Sequence, residues 1–437
     1  MSRDINSVVV IGGGTMGTGI AGLCAQTDHP VLLLEINNEA KEKAKDRILN
    51  GRPPAVDDPD KVKNITFGTI DDDLSAIADY DWICEAIVED LPTKRTIFEK
   101  LEPLRKEGSV ISSNTSGILL REITDGMPER LRQDIAVTHF FNPVKIMRLI
   151  ELIPGSETNP EVINTLAAFV GGKLGKGVVY AKDTVNFIGN RIGCFWMMSG
   201  LHYAQDSLSA GISMEQVDAL MSQPVGLPPT GLYGLIDLIG LDVMDLVGKN
   251  LATNLTADDK GMEYVTLPGP IQAMLERGQI GRKSGAGFYR MHKLDDGSRR
   301  TEIFDLINNE WRDSEKFKLS DMHSTLEVIM TDDPAGNFAW QIMSNTLCYA
   351  ADLVPEISND VVNVDRAMRW GYAWNRGPFE IIDCLGADRF IARLSHTNTQ
   401  IPKMLKVLME SGNNSFYVSN GQEYLGQDGK YHATPPE

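Results

Sequence analysis

Two residues close together in the chain carry the clearest chemical potential. His139 lies in Thr138-His139-Phe140-Phe141-Asn142-Pro143-Val144, and Glu151 lies in Arg148-Leu149-Ile150-Glu151-Leu152-Ile153. A turn between two such strand-like stretches would bring the side chains together. Imidazole, with a reference pKa of about 6.5, can take a hydroxyl proton while a hydride leaves the same carbon. A buried carboxylate on its other ring nitrogen would fix the tautomer and stabilise the imidazolium. Residue type alone leaves a plainer alternative, because His139 is one of seven histidines and a histidine beside aromatics can simply pack in a core. Glu151 sits among Leu149, Ile150, Leu152 and Ile153, so if buried it needs a partner, and His139 is the nearest candidate.

A hydride needs an acceptor, and the N-terminal stretch has the pattern of a dinucleotide site. The β-branched run Ile5 to Ile11 ends in Gly12-Gly13-Gly14-Thr15-Met16-Gly17 and passes into the helical pattern of Ile20 to Ala25. Val31 to Leu34 then reads as a second buried strand closing on Glu35, about twenty residues after the glycines. Gly12 suits the tight turn, Gly14 the close approach of a pyrophosphate at the helix N-terminus, and Gly17 the packing of helix on strand. Glu35 would accept from the adenosine ribose hydroxyls and repel a 2′-phosphate, so the expected cofactor is NAD rather than NADP. The absence of Arg from Ile36-Asn37-Asn38 agrees. An ordinary glycine turn and a solvated strand-end carboxylate are the plainer readings, against which stands the complete strand, helix, strand order.

Further apolar stretches follow at Trp82 to Cys84, Val110-Ile111 and Ile135 to Val137, with a helix through Leu91 to Leu104. Helices between short apolar strands imply a mainly parallel sheet. Polar residues follow these strands at Glu85 and Glu89, at Asn114-Thr115-Ser116 and at His139, where the carboxyl ends of such a sheet would gather them.

The chain has 437 residues, enough for about three domains, and a formal net charge of -18. That charge argues against nonspecific nucleic-acid binding, but not against a polyanionic coenzyme held by local donors. The five cysteines, Cys24, Cys84, Cys194, Cys348 and Cys384, are scattered and fit neither a disulfide framework nor a metal site. The apolar stretches are strand-length, and the first begins by Ile5, so the expectation is a cytoplasmic chain without leader peptide or membrane insertion.

The chain resembles the 3-hydroxyacyl-CoA dehydrogenase family. The resemblance rests on Gly12 to Gly17, Glu85-Ala86-Ile87-Val88-Glu89, Ser113-Asn114-Thr115-Ser116 and His139-Phe140-Phe141-Asn142-Pro143. It continues in Lys182-Asp183-Thr184, Phe187-Ile188-Gly189-Asn190-Arg191 and Lys283-Ser284-Gly285-Ala286-Gly287-Phe288-Tyr289. It implies His139 as base, Glu151 as its orienting partner, and Ser116 and Asn190 at the substrate oxygen. It also implies NAD contacts from Gly12, Gly14, Thr15, Met16, Gly17, Glu35, Glu89, Lys94, Ser116, Asn142 and Lys283, with a solvated helix lysine as the plainer alternative for Lys94. The implied substrate is an acyl-CoA thioester. Two departures stand out. The stretch after Glu35 is shorter than in the small stand-alone enzymes, so the residues holding coenzyme A are open; Lys41, Lys43, Lys45 and Arg47 on one helix there also read as a solvated face. Val185-Asn186 stands where the family often has Pro-Gly.

Downstream the sequence repeats itself: Thr230-Gly231 through Leu241-Asp242 recurs as Arg376-Gly377 through Ala387-Asp388. Asn186 to Asn190 has a weaker echo in Asn337 to Gln341, with Gln341 in place of Asn190, so the second copy reads as structural. The expected architecture is an α/β Rossmann-like dinucleotide-binding domain (1–182) followed by two all-α repeat domains. The first copy covers 183–290, 291–325 is a linker or insertion with a turn at Asp295 to Arg300, and 326–437 is a degenerate second copy with a tail and a small hairpin near Gly421 and Gly426. The resemblance implies that the second copy takes a dimer partner's place, leaving monomer and homodimer both open, and that the helical pair covers longer acyl chains. Ala433 to Glu437 looks like the point where a bacterial fusion protein passes into an enoyl-CoA hydratase domain, so the chain reads either as the dehydrogenase part of a longer polypeptide, with a fused or associated hydratase and thiolase, or as a stand-alone version. Rival readings are a hydroxyacid dehydrogenase without coenzyme A, usually with a lysine base, and a silent NAD-binding scaffold.

Overall fold

The computed structural model describes residues 3–294, 296–397 and 399–437, which form two compact units. The first runs through Ile188 and takes in Glu356–Asn359 and Pro435–Glu437; the second holds Gly189–Pro355 and Asp360–Thr434.

In the first unit eight strands make one sheet: β1 (Val8–Ile11), β2 (Val31–Glu35), β3 (Ile65–Thr69), β4 (Trp82–Glu85), β5 (Val110–Ser113), β6 (Ile135–Phe140), β7 (Leu149–Pro154) and β8 (Gly177–Tyr180). Their order is β3-β2-β1-β4-β5-β6-β7-β8, which reverses between β1 and β4. Ligand crevices open at such a switch point, beyond the carboxyl ends of the strands. Strands β1, β4, β5 and β6 are buried throughout, and each opens on an apolar run, which is what made them legible. The sequence reading missed β3 and β8. Both are edge strands with exposed positions, and Gly68 and Gly177 weaken their apolar pattern. One pair departs from parallel: β7 runs antiparallel to β6 in a register that sets His139 opposite Glu151.

The second unit is mainly helical, with the long helices Gly189–Ser209 and Pro334–Leu353 packed together and Phe195 stacked on Tyr349 at 3.9 Å between centroids. The sequence repeat reappears in its hydrogen bonds. Asp218 accepts from Tyr233 N and Gly234 N and from the Tyr289 hydroxyl; Asp365 accepts from Phe379 N, Glu380 N and the Tyr417 hydroxyl. Asp237 accepts from Phe288 N and Tyr289 N, and Asp383 from Phe416 N and Tyr417 N. The copies also share a steric requirement: a Cβ at Gly231 would meet Asp218 at 2.5 Å, and one at Gly377 would meet Asp365 at 2.2 Å.

The expectation that this region is all-α needs correction. Residues 291–325, read as a linker or insertion, include most of a three-stranded antiparallel sheet formed by Tyr289–Lys293, Arg299–Asp305 and Glu310–Asp313. Its strands are charged because they are held by cross-strand pairs such as Arg290 with Glu302 and Arg300 with Asp313, and this masks the alternation by which strands are recognised. Of the turn signal between them, Asp295 lies outside the described residues. A second small sheet, Tyr417–Val418, Glu423–Leu425 and Tyr431–Ala433, occupies the place of the hairpin expected near Gly421 and Gly426.

Candidate active site

The glycine turn has the shape its sequence implied. Gly12 has φ of 99°, and a Cβ there would lie 2.6 Å from the Ala86 carbonyl oxygen. A Cβ at Gly17 would lie 1.8 Å from the Gly12 oxygen, so helix and strand approach too closely for any side chain. At Gly14, by contrast, nothing lies within 4 Å of an added Cβ. The helix Thr15–Gln26 begins there without a side-chain cap and without an acidic residue in its first turn. Its free amides and open glycine face suit a pyrophosphate.

Glu35 closes the other end of this crevice, its Oε1 accepting from Gly13 N at 2.6 Å and its Oε2 from Ile36 N at 2.9 Å. A cavity of about 840 Å³ runs past Gly12, Gly14, Thr15, Met16 and Glu35 to the residues after β4. Open glycine, uncapped helix and acidic acceptor together fit NAD. Of the basic residues on the helix Asn38–Asn50, Lys43 pairs with Glu39 and Arg47 donates to the Gly13 carbonyl.

Lys94 is buried to 1% exposure between two carboxylates, 2.7 Å from Glu85 and 3.2 Å from Glu89. Glu85 also accepts from Ile87 N and the Ser113 hydroxyl, tying the ends of β4 and β5 together. Glu89 in turn holds the loop after β5, accepting from the Thr115 hydroxyl at 2.6 Å, Ser116 N at 2.8 Å and Gly117 N at 3.0 Å. Burial opposes ionisation of Glu89, but Lys94 and these donors outweigh it and hold the carboxyl below its usual range. Ser116 itself is exposed. Lys94 is thus neither a solvated helix lysine nor open to solvent; its ammonium is consumed by the two glutamates.

His139 is buried, and its Nδ1 lies 2.7 Å from Glu151 Oε2. The second Glu151 oxygen accepts from Ile188 N at 3.1 Å. Phe141 and Phe187 pack near the imidazole, with centroids at 4.5 and 5.6 Å. Asn142 is exposed on the loop that follows. Asn114 accepts from Phe140 N, fixing the end of β6 beside His139. Sequence reasoning missed Lys176, whose buried ammonium donates to the carbonyls of Val144 and Met147 and so pins the loop between His139 and Glu151. Burial lowers its pKa to about 8. Nothing in Gly175-Lys176-Gly177 signals this. The Val185-Asn186 departure has a physical reading: Asn186 has φ of 59°, a left-handed conformation that asparagine tolerates almost as glycine does.

Two of the sequence candidates lie in the second unit. Asn190, at the start of the helix Gly189–Ser209, accepts from the Tyr372 hydroxyl at 2.9 Å. Lys283 pairs with Asp242 at 2.6 Å. No group of three or more metal-binding side chains occurs among the described residues, and no helix among them is long and apolar enough to cross a membrane.

Comparison with known proteins settles the family. Residues 7–184 match the family model for the 3-hydroxyacyl-CoA dehydrogenase NAD binding domain, and residues 187–291 match that for the C-terminal domain. The chain belongs to the 3-hydroxyacyl-CoA dehydrogenase family. Over 99% of its length it is 34% identical to a probable 3-hydroxyacyl-CoA dehydrogenase of Bacillus subtilis, covering 58% of that protein. It is 36% identical over 89% of its length to a putative fatty acid oxidation complex trifunctional enzyme of Rickettsia felis, covering 54% of it. The chain therefore spans somewhat more than half the length of these relatives. Its fold is similar to that of 3-hydroxybutyryl-CoA dehydrogenase from Escherichia coli, with a TM-score of 0.68 at 23% identity, covering 94% of this chain and 99% of that one. Membership makes the N-terminal crevice the NAD-binding domain of an NAD-dependent oxidoreductase family, with a helical C-terminal domain behind it.

Proposed function

We propose that the chain oxidises 3-hydroxyacyl-CoA thioesters to 3-ketoacyl-CoA, with His139 as general base and Glu151 as its positioning partner. The observation that carries this reading is the buried 2.7 Å hydrogen bond between them, in a chain of this family. Bound NAD supplies the acceptor for the substrate hydride. Because Nδ1 is committed to Glu151, Nε2 is the atom that takes the hydroxyl proton, and the carboxylate stabilises the imidazolium that results. The second Glu151 oxygen is held by Ile188 N, which keeps the carboxylate from rotating away. Glu89 acts by holding the Ser116 loop, and Lys94 acts through Glu89 rather than by touching the cofactor.

The resemblance assigns Ser116 and Asn190 to the substrate oxygen and Asn142 and Lys283 to NAD. We keep the layout of 1–182, 183–290, 291–325 and 326–437 as a dinucleotide domain, a first helical copy, an insertion and a degenerate second copy, supported by the repeated Asp218 and Asp365 networks. The names of the longer relatives favour work in fatty-acid oxidation; to this the sequence reading adds β-oxidation in the cytoplasm, with a fused or associated enoyl-CoA hydratase and thiolase. The assembly is a monomer or homodimer. The test is nicotinamide absorbance with NADH and 3-ketoacyl-CoA of increasing length, comparing the parent with His139→Gln. Turnover that needs both thioester and His139, with a loss of about a hundredfold or more in the variant, is expected. Tight NADH binding without turnover on any thioester would instead favour a silent scaffold.

A further inference from the structure

The two copies of the repeat differ in one place that the shared networks make comparable. Asp218 and Asp365 receive the same backbone donors, so Gly234 corresponds to Glu380 and Ser222 to Arg369. The same alignment sets Ala219 against Arg366 and Thr230 against Arg376. In the second copy Arg369 and Glu380 form an ion pair at 3.2 Å. In the first copy all four counterparts are small, and they line a cavity of about 880 Å³. That is the size of a small-molecule site, about 300–1,000 Å³.

The remaining walls have a definite chemistry. Tyr289 and Pro229 line the cavity, while Met291, 58% exposed, and Phe317, 43% exposed, leave large apolar surfaces open along it. Most charges here are already engaged. Glu215 is held by Arg312 at 2.6 and 2.8 Å, Arg290 by Glu302, and the Asp218 and Asp237 oxygens by backbone and hydroxyl donors. Arg282 lies within electrostatic reach of Asp237 but donates to no side chain, and Lys316 makes no ion pair, among the described residues. Glu315, on the rim, has its backbone N–H engaged by Glu215 and its carboxylate in no ion pair among the described residues. The Thr230 hydroxyl in the wall has no hydrogen-bond partner among the described residues. Apolar walls beside the exposed Arg282 and Lys316 side chains suit a ligand with an aliphatic body and one anionic head.

We propose that this cavity of the first copy binds an aliphatic monoanion, and that the second copy has lost the site to the Arg369–Glu380 pair. The site uses no residue of the dinucleotide crevice or of the His139–Glu151 pair. Its test fills the first cavity as the second copy is filled. Ser222→Arg with Gly234→Glu installs the counterpart pair, and an added Cβ at Gly234 meets nothing closer than 3.6 Å. Titration calorimetry with decanoate, on the full chain saturated with NAD and acetoacetyl-CoA, both oxidised and so unable to react, is expected to show one saturable site. Affinity should fall about tenfold or more in the double variant, with the unfolding midpoint and NADH turnover unchanged. Lys316→Glu should weaken decanoate but spare decanol. If the double variant folds poorly, Phe317→Asp, at an exposed position, serves in its place with the same expectation. Equal decanoate binding by parent and filled variant, or no saturable binding, would overturn the proposal. Because turnover is read separately, that outcome would leave the proposed dehydrogenase activity untouched.

Discussion

His139 Nδ1 and Glu151 Oε2 lie 2.7 Å apart because β6 and β7 are the one antiparallel pair in the sheet, in a register that places the two residues directly opposite one another. Opposed residues on one face have Cβ atoms about 5 Å apart, within reach of an imidazole and a carboxylate. Glu151→Gln keeps the shape but removes the charge, and its single amide oxygen can accept from only one of the imidazole N–H and Ile188 N–H. Turnover is expected to drop by about a hundredfold or more while NADH affinity, read by fluorescence quenching, stays within about twofold. Turnover within a few-fold of the parent would remove Glu151 from the mechanism.

The contrast between Gly14 and Gly17 separates folding from cofactor binding. Gly17→Ala must push apart helix and strand, since its Cβ would sit 1.8 Å from a carbonyl oxygen, and a fall in the unfolding midpoint is expected. Gly14→Ala meets nothing in the free chain, so its thermal stability should match the parent. The methyl group would instead stand where the pyrophosphate approaches, and the NADH dissociation constant should rise about tenfold or more. An unchanged constant would place the phosphates elsewhere.

Lys94→Met tests whether this lysine supports the fold or the cofactor directly. Its loss leaves Glu85 fully buried without its ion-pair partner, and breaking such a pair costs about 3–5 kcal/mol. Chemical denaturation should show that loss, with part of it recovered in Lys94→Met/Glu85→Gln. Loss of NADH affinity at full stability would indicate direct contact with the cofactor.

Asp218 predicts a pH dependence of stability. Burial, only partly offset by the hydrogen bonds from Tyr289, Tyr233 and Gly234, raises its pKa from 3.8 to about 7. The folded chain therefore holds this proton more tightly than the unfolded one. The resulting stabilisation is complete below about pH 4 and is lost as pH rises through about 7. Asp237, raised to about 6, acts in the same direction. Urea midpoints measured from pH 5 to 8 should decline less steeply in Asp218→Asn than in the parent. Parallel declines would mean that the carboxyl is ionised throughout.

Much of the first unit was legible in the sequence because buried strands leave long apolar runs and the glycine turn leaves a spaced motif. Edge strands β3 and β8 have neither, and the charged sheet of 289–313 hides its alternation in cross-strand ion pairs. The repeat was legible as a string of residues around Gly231 and Gly377. Its physical reason, a glycine pressed against a buried aspartate in each copy, was not.

The sequence by itself determined the dinucleotide turn, the central strands of a mainly parallel sheet, the duplication and the candidates His139 and Glu151. These depend on local periodicity and residue type. Only the tertiary structure decided that β7 turns back antiparallel to β6, that Lys94 is consumed by Glu85 and Glu89, and that Lys176 pins the loop between base and carboxylate. It also decided that one copy of the repeat holds a cavity where the other holds an ion pair. Each of these depends on how strands and helices pack rather than on residue type; for Lys94 and Lys176 that packing buries a charge, and an unpaired buried charge is costly.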